Sequence, residues 1–269
     1  MLKKIGVSSL DELIEKTIPA NILLKEPLKL GAAMTEREFA EHIGKLAAQN
    51  KLYKTYIGCG WYDTVTPAVV QRNVFENPVW YTSYTPYQAE ISQGRLEALL
   101  NFQTVISDLT ALPLANCSLL DEATAAAEAA TMMYGLRSRA QQKAQANVLF
   151  VDEEIFPQTL AVIRTRAIPQ GMVVKVGSYK DLTFTPDIFG CIVQYPNNSG
   201  SIEDYREFAE QAHAARCKVA VAADILSLAL LVPPGEWGAD IAFGSSQRLG
   251  TPMFYGGPVS YTHLTLPTT

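Results

Sequence analysis

The sequence predicts an α/β protein, in which helices cover both faces of a mostly parallel sheet. From about residue 147 onward, short apolar runs alternate with single helical segments. Strands separated by single helices imply right-handed crossovers and therefore parallel pairing in a three-layer α/β/α arrangement. Polar residues follow two of the runs, at 194–200 and at Asp224. Ligands bind beyond the carboxyl ends of strands in such sheets, so these positions are candidates for a site.

The apolar runs are short and well separated, as expected for buried strands. We predict strands at 148–151, 172–176, 191–195, 218–223 and 241–243. A helix is predicted over 158–166, with Pro157 at its start, where proline is tolerated. A second helix is predicted over 202–216, and the strands and helices alternate as the fold class requires.

The first 80 residues are predicted to be an N-terminal helical arm of the same fold. Capping boxes at 9–12 and 35–38 open helices that end near residues 17 and 50. A glycine-punctuated aromatic turn follows at 56–63, with no third glycine that would complete a dinucleotide fingerprint. Thr66 is predicted to cap a further helix that begins at Pro67.

An unusual aromatic stretch occupies 81–90 and leads into a helix predicted over 91–110. Pro86 keeps the stretch extended. Within the helix, apolar residues recur at helical spacing and predict one buried face. They are Leu99, Phe102, Val105 or Ile106, and Leu109. The stretch suits the floor of a site or an interface, and equally tyrosine rings that cap the edge of a core.

Bulk composition excludes several functional classes. The chain has 269 residues and a net charge of −5, without a cluster of basic residues, which argues against nucleic-acid binding. No apolar run is long enough to span a membrane. An acidic helix follows the first residues at once, so we expect a cytoplasmic protein. The four cysteines are far apart, and neither a zinc site nor a disulfide framework is expected.

The stretch 116–128 combines polar residues with the start of an alanine-rich helix. Backbone N–H groups at a helix start can hold a phosphate, and Ser118 and Thr124 would add hydroxyl donors. However, Asp121 and Glu122 lie in the same turn and would repel a phosphate. The alternative is a set of acidic caps on a packed helix.

Two long motifs carry a family resemblance. Residues 84–90 (YTPYQAE) and 93–104 (QGRLEALLNFQT) resemble the P-protein of the glycine cleavage system, a decarboxylating glycine dehydrogenase that depends on pyridoxal 5′-phosphate. The similarity runs from about residue 10 to 258 and corresponds to the N-terminal half, or to subunit 1 where the protein is split. It implies that 81–258 form an incomplete large domain of the fold-type-I pyridoxal-phosphate transferases.

In that fold an aspartate pairs with the pyridine nitrogen, and a lysine further on forms the imine. Asp224 matches the aspartate, but the lysine position is Arg248. Arginine stays protonated and cannot form an imine. The resemblance therefore implies that the other half binds the cofactor covalently, while Ser118, Thr124 and Asp224 remain candidates for contact with it. Alternatively, Asp224 and Arg248 simply neutralise each other.

The resemblance also implies the activity and the partners. The complete enzyme would decarboxylate glycine and transfer the aminomethyl group to the lipoyl arm of H-protein, together with the C-terminal half or subunit 2. Tyr84, Tyr87, Gln88 and Glu90 are expected nearest that chemistry, where they orient the substrate. A non-catalytic scaffold half that docks H-protein is the alternative. An independent aminotransferase or desulfurase is disfavoured by the missing lysine.

The last residues depart from the family pattern. The segment 259–269 is polar and threonine-rich. It resembles read-through from a cloning or sequencing adapter, so we predict that it is not native. On this interpretation the sheet is cut short, and the unpaired edge would make the chain poorly soluble.

Overall fold

The computed structural model describes residues 1–26, 28–80 and 88–252, together with the backbone of Thr265–Leu266. The chain forms two compact units, Met1–Lys54 and Thr55–Thr269. The sequence analysis placed domain boundaries after residues 80 and 258, on the basis of the family resemblance. These boundaries stay predictions.

The first unit consists of three helices, α1 (Leu2–Ile5), α2 (Leu10–Thr17) and α3 (Glu36–Ala47). Both predicted caps form: Ser9 accepts the N–H of Glu12, and Thr35 closes a capping box with Glu38. None of the residues described in this unit is buried. The apolar side chains of α3 are 55% (Phe39), 44% (Ile43) and 47% (Leu46) exposed. Its apolar stripe is therefore largely accessible.

The second unit contains the sheet and six helices in the described part of the chain. The helices are α4 (Ala68–Val70), which a π-helical turn continues over Gln71–Phe75, α5 (Gln93–Thr110), α6 (Glu122–Gly135), α7 (Arg139–Lys143), α8 (Pro157–Ala167) and α9 (Arg206–Ala214). The strands are β1 (Leu114–Ala115), β2 (Val148–Asp152), β3 (Val173–Gly177), β4 (Ile188–Tyr195), β5 (Lys218–Ala223), β6 (Ile241–Phe243) and β7 (Thr265–Leu266). Short 3₁₀ turns lie at Pro78–Trp80, Ile168–Gln170, Tyr179–Asp181, Ser227–Ala229, Pro234–Trp237 and Ser246–Leu249.

The strand order is β1-β7-β6-β5-β4-β2-β3. The strands from β6 to β3 pair in parallel, and β7 pairs antiparallel with both β6 and β1. Tyr195 is level with Ala223, and Ala222 is level with Phe243, so the carboxyl ends of β4, β5 and β6 lie side by side. The predicted α/β class with a mostly parallel sheet is confirmed.

Alternate strand residues enter two separate hydrophobic clusters, as the two-residue period of a strand requires. Val219 and Val221 of β5 pack in the cluster that contains Phe208 of α9. Ala220 and Ala222 pack in the other cluster, with residues of α6 and α8. Helices therefore cover both faces of the sheet, which makes three layers. No helix in the described ranges is long and apolar enough to cross a membrane.

The predicted buried face of α5 is only partly correct. Ile106 is 1% exposed, and Phe102 and Leu109 pack against the core, as expected. Leu99, in contrast, is 43% exposed, and of the two alternatives Val105 and Ile106 only Ile106 is buried. Helical spacing identifies an apolar stripe, whereas tertiary packing decides which part of it is covered.

The predicted cap at Thr66 is wrong. Pro67 occupies the N-cap position of α4, which has no side-chain cap bond. The Thr66 hydroxyl donates instead to the carbonyl of Gly250 at 2.6 Å, and the Thr64 hydroxyl donates to the carbonyl of Thr251 at 2.9 Å. These two bonds connect the segment before α4 to the residues that follow the last 3₁₀ turn.

Candidate functional site

A cavity of about 300 Å³ lies beyond the carboxyl ends of β4 and β5. Strand ends, the first residue of α6, the N-cap of α8 and the glycine-punctuated loop at 56–63 all contribute to its wall. The lining residues are Gly60, Tyr62, Glu122, Phe156, Gln194, Pro196, Asn197, Gly200, Asp224, Ser245 and Arg248. The expectation that the polar residues at 194–200 and Asp224 meet at one sheet edge is therefore confirmed.

An ion pair between Asp224 and Arg248 forms one side of the cavity. The Nε atom of Arg248 lies 3.3 Å from each carboxylate oxygen of Asp224, and the side chains are 17% (Arg248) and 23% (Asp224) exposed. The guanidinium carbon is 4.9 Å from the centre of the Tyr62 ring. The N–H of Leu226 donates to Asp224 Oδ1 at 3.1 Å. The mutual neutralisation considered from the sequence is present.

Glu122 is the first residue of α6 and brings a second carboxyl group to the cavity. Its side chain is partly exposed, but Oε1 is buried and has no hydrogen-bond partner in the described part of the chain. Burial, followed by the negative charges of Asp224 and Asp121, raises the pKa of Glu122 to about 8. The acid is therefore mostly protonated and neutral at pH 7.

The glycine-punctuated loop at 56–63 packs against the cavity wall and forms hydrogen bonds with residues that are distant in sequence. Gly60 has φ +87°, and a Cβ atom there would lie 2.9 Å from the Phe156 ring. Gln158 Nε2 donates to the carbonyl of Cys59 at 2.8 Å. Gln247 Nε2 donates to the carbonyl of Tyr62 at 3.3 Å. Glycine at position 60 thus permits both the turn and the close approach to α8.

Ser118 and Thr124, the predicted phosphate contacts, lie just before α6 and in its first turn, but neither residue lines the cavity. Both side chains are half-buried. The N–H of Thr124 donates to Asp121 Oδ1 at 2.6 Å, because Asp121 caps α6. The acidic-cap interpretation of this turn is therefore confirmed. The cofactor roles of Ser118, Thr124 and Asp224 stay predictions.

The predicted catalytic residues precede α5. Gln88 and Glu90 are exposed in the turn before this helix, where the N–H of Ser92 donates to the carbonyl of Gln88 at 3.0 Å. Neither residue lines the cavity. Tyr84 and Tyr87 lie outside the described residues. The orienting roles of these four residues stay predictions.

The residues of the cavity do not fit covalently bound pyridoxal phosphate. None of the described lining residues is a lysine, and Arg248 instead pairs with Asp224. The start of α6 carries Asp121 and Glu122, and Asp121 already uses the N–H of Thr124. A phosphate would meet acidic groups where the fold usually supplies free donors. Within the described ranges, no group of three or more His, Cys, Asp or Glu residues could hold a metal ion.

Sequence reasoning did not assign Tyr62, Phe156 or Glu122 to the site. Tyr62 belongs to a loop whose contact with a ligand was left open, and Glu122 was considered only as a group that repels phosphate. For Glu122, the sequence pattern that could have indicated a site residue is a carboxylate at the first position of an apolar, alanine-rich helix. No local pattern indicates Tyr62, because its bond to Gln247 spans most of the second unit.

Comparison with known proteins agrees with this architecture. The family model described as glycine cleavage system P-protein matches residues 1–264. The glycine dehydrogenase (decarboxylating) of Bacteroides fragilis is 77% identical over 258 residues, which are 96% of this chain and 27% of the relative. The enzyme of Flavobacterium johnsoniae is 54% identical over 258 residues, again 96% of this chain and 27% of the relative. The chain thus spans about a quarter of the length of these curated relatives.

A solved structure extends the similarity to three dimensions. The crystal structure of a glycine decarboxylase (P-protein) of the glycine cleavage system, in inhibitor-bound form, matches with a TM-score of 0.86 and 35% identity. The match covers 100% of this chain and 60% of that one. The chain therefore belongs to the glycine cleavage system P-protein family.

Proposed function

We propose that this chain is the N-terminal part of a pyridoxal-phosphate-dependent glycine dehydrogenase of the glycine cleavage system. The complete protein would decarboxylate glycine and transfer the remaining aminomethyl group to the lipoyl arm of H-protein. High identity with decarboxylating glycine dehydrogenases and the match to a P-protein structure support this proposal. A cytoplasmic location is part of this proposal, in keeping with the bacterial glycine dehydrogenases to which the chain is similar.

The cofactor would be bound covalently outside this chain, by the C-terminal half or by a second subunit. The observation that carries this proposal is the Asp224–Arg248 pair at the place where the fold expects an aspartate and a lysine. Held by that other part of the protein, the cofactor would supply an electron sink for the decarboxylation. This chain would contribute protein groups to the catalytic site and no imine-forming amine.

Gln88 and Glu90 would orient glycine or the lipoyl arm, together with Tyr84 and Tyr87. Their place supports this role, since Gln88 and Glu90 are exposed at the start of a long helix. Exposed side chains at such a position can reach a site completed by another part of the protein. Hydrogen bonds from them would fix the reacting groups without forming a covalent bond.

The test uses the complete enzyme with Tyr87→Phe or Glu90→Gln, and glycine decarboxylation is measured as carbon dioxide release. We expect kcat/KM to fall by roughly tenfold or more, because positioning errors raise the barrier to reaction. Glu97→Gln is the matched control, since Glu97 is an exposed acid of α5, the helix that follows this turn. Unchanged turnover in both site variants would dismiss the assignment.

The alternative function is a scaffold half that stabilises the catalytic half and docks H-protein. The exposed apolar side chains of α2 and α3 favour it, because accessible apolar stripes are typical of surfaces that bind another protein. Sedimentation and activity of the same variants separate the two functions. Weaker assembly with normal turnover per assembled complex would support the scaffold and contradict the catalytic role.

A further inference from the structure

Another cavity lies at the amino ends of β4 and β5, opposite the cavity at their carboxyl ends. Its volume is about 380 Å³, which is within the usual range for small-molecule sites. Phe189 near the start of β4, Lys218 at the start of β5 and the carboxyl ends of α6 and α9 contribute to its wall. The proposed glycine chemistry belongs to the other end of the sheet and does not use this cavity.

Most of the charged side chains in this cavity are basic. Arg137, Arg216 and Lys218 line it together with a single carboxylate, that of Asp240, among the described residues. Lys218 Nζ donates to Asp240 Oδ1 at 2.8 Å, and His213 Nε2 lies 2.9 Å from Oδ2. The carboxylate is therefore already compensated. Neither arginine pairs with an acid in the part of the chain that the structure describes, so two positive charges remain.

The surroundings do not cancel this excess. α6 and α9 end beside the cavity, and the carboxyl end of a helix carries roughly half a negative elementary charge. Two such ends amount to about −1, against two uncompensated guanidinium groups. Asp187, which precedes β4, is exposed and does not line the cavity. A cleft with a net positive charge attracts small anions.

Arg137 is fixed in place, with part of its guanidinium open. Its Nε atom donates to the carbonyl of Tyr134 at 2.6 Å, and Nη1 donates to the carbonyl of Ala146 at 2.7 Å. The guanidinium carbon lies 3.3 Å from the centre of the Tyr134 ring. Nη2 makes no hydrogen bond within the described ranges. Two N–H groups of a pre-oriented cation therefore remain for a ligand.

Arg216 has a backbone conformation that arginine rarely adopts. It follows α9 with φ +61°, in the left-handed region where glycine or asparagine is usual at a helix end. Its N–H donates to the carbonyl of His213 at 2.9 Å, and its own carbonyl accepts from Gln141 Nε2 at 3.0 Å. The guanidinium makes no hydrogen bond to any described residue. A charged side chain at a strained position indicates a role for that side chain, since the turn itself would prefer glycine.

We propose that this cavity binds a phosphate group. Arg137 and Arg216 contact the phosphate from two different segments of the chain, while Lys218 stays paired with Asp240. Phosphate carries about 1.5 to 2 negative charges at pH 7 and three acceptor oxygens, which suits two separate guanidinium groups better than a planar carboxylate does. The site lies at the opposite end of the sheet from the cofactor chemistry of the family, and it does not rest on the proposed function.

Calorimetric titration of the full chain at constant ionic strength tests the proposal. The probes are inorganic phosphate and glycerol 3-phosphate, and succinate serves as a dicarboxylate of similar charge. We expect saturable binding of phosphate and at least tenfold weaker binding of succinate. Tighter binding of glycerol 3-phosphate would identify an organic phosphate as the ligand, and tighter binding of inorganic phosphate would identify the free ion. Absence of saturable binding by both phosphates, or succinate that binds equally tightly, would overturn the proposal.

Arg216→Gly locates the binding without endangering the fold, because glycine adopts φ +61° without strain. We expect it to weaken phosphate binding at least tenfold, with a melting temperature that is unchanged or raised. Arg139→Gln is the matched control, since Arg139 is an exposed arginine of α7 that does not line the cavity. It should change binding less than about twofold, because exposed charges outside a site are largely screened. Phosphate binding that Arg216→Gly leaves unchanged, or that Arg139→Gln weakens equally, would overturn the proposal.

Discussion

The carboxylates at the two ends of strand β5 are paired in opposite ways. At the amino end, buried Asp240 accepts from Lys218 Nζ at 2.8 Å and from the N–H of Val219 at 2.8 Å, and it lies 2.9 Å from His213 Nε2. At the carboxyl end, Asp224 is held by Arg248 at 3.3 Å, and Glu122 Oε1 has no described partner.

The difference separates a structural group from a functional candidate. A buried carboxylate surrounded by donors at short distance has its charge compensated by the protein itself. A cavity that leaves a carboxyl oxygen unpaired and an ion pair loosely engaged keeps binding capacity for something else. Asp240 therefore stabilises the amino end of β5, whereas the carboxyl end keeps acidic groups whose pairing is incomplete.

The largest expected loss of stability comes from a substitution at the amino end of β5. Asp240→Asn removes the charge shared by Lys218 and His213 and should lower the free energy of unfolding by about 3 kcal/mol. Urea denaturation followed by circular dichroism measures the change. Asp204→Asn is the control, because Asp204 pairs with Arg206 on the surface and should cost less than about 1 kcal/mol. Equal losses in the two variants would contradict a structural role for Asp240.

A smaller effect concerns pH at the carboxyl end. The pKa of Glu122 is raised from 4.5 to about 8 in the folded chain, so the folded chain keeps a proton that the unfolded chain has lost. The contribution of the Glu122 carboxyl to the free energy of unfolding is fully present below pH 4.5 and is lost as pH rises towards 8. The full interval corresponds to about 4 kcal/mol, and the partial exposure of Glu122 reduces this to on the order of 2 kcal/mol. We expect the stability advantage of the native chain over Glu122→Gln to shrink by that amount across the interval.

Urea denaturation at pH 5, 6, 7 and 8 gives this difference directly. Comparison with Glu122→Gln cancels the titration of the other groups. Asp152, which is buried on β2 and has a pKa raised by its burial, titrates equally in both chains. A difference that stays constant or grows with pH would show that Glu122 is ionised in the fold.

The smallest effect concerns the ion pair itself. Arg248→Gln leaves Asp224 without its cation and should cost about 1 kcal/mol, because the contacts are long and both side chains are partly exposed. Arg248→Lys should recover most of the loss. Thermal unfolding of the two variants measures it, and equal destabilisation by both would show that the packing of arginine against Tyr62 matters more than its charge.

Much of the fold follows from the sequence, because each central strand is a short apolar run and each crossover is a single helix. Parallel pairing and the two helical layers then follow from general rules of chain connection, whereas the strand order was not predicted. β1 and β7 were not predicted, since two-residue strands leave no pattern. Leu99 was placed in the core because periodicity identifies a stripe and does not identify what covers it.

The candidate site was predictable only where it coincides with strand ends. Asp224 and Gln194 were found because ligands bind at the carboxyl edge of a parallel sheet. Glu122 was seen as an obstacle to phosphate, since its burial and its missing partner depend on the folded surroundings. Tyr62 could not be found, because its position depends on bonds that join distant parts of the sequence.

The central proposal is that this chain places no lysine amine at the position where the fold anchors pyridoxal phosphate. Borohydride reduction of the isolated chain with pyridoxal phosphate, followed by peptide mass spectrometry, tests it most directly. We expect no stoichiometric pyridoxyl label on any peptide of this chain, whereas the half proposed to carry the lysine should be labelled under the same conditions. A stoichiometric pyridoxyl-lysine in this chain would contradict the claim.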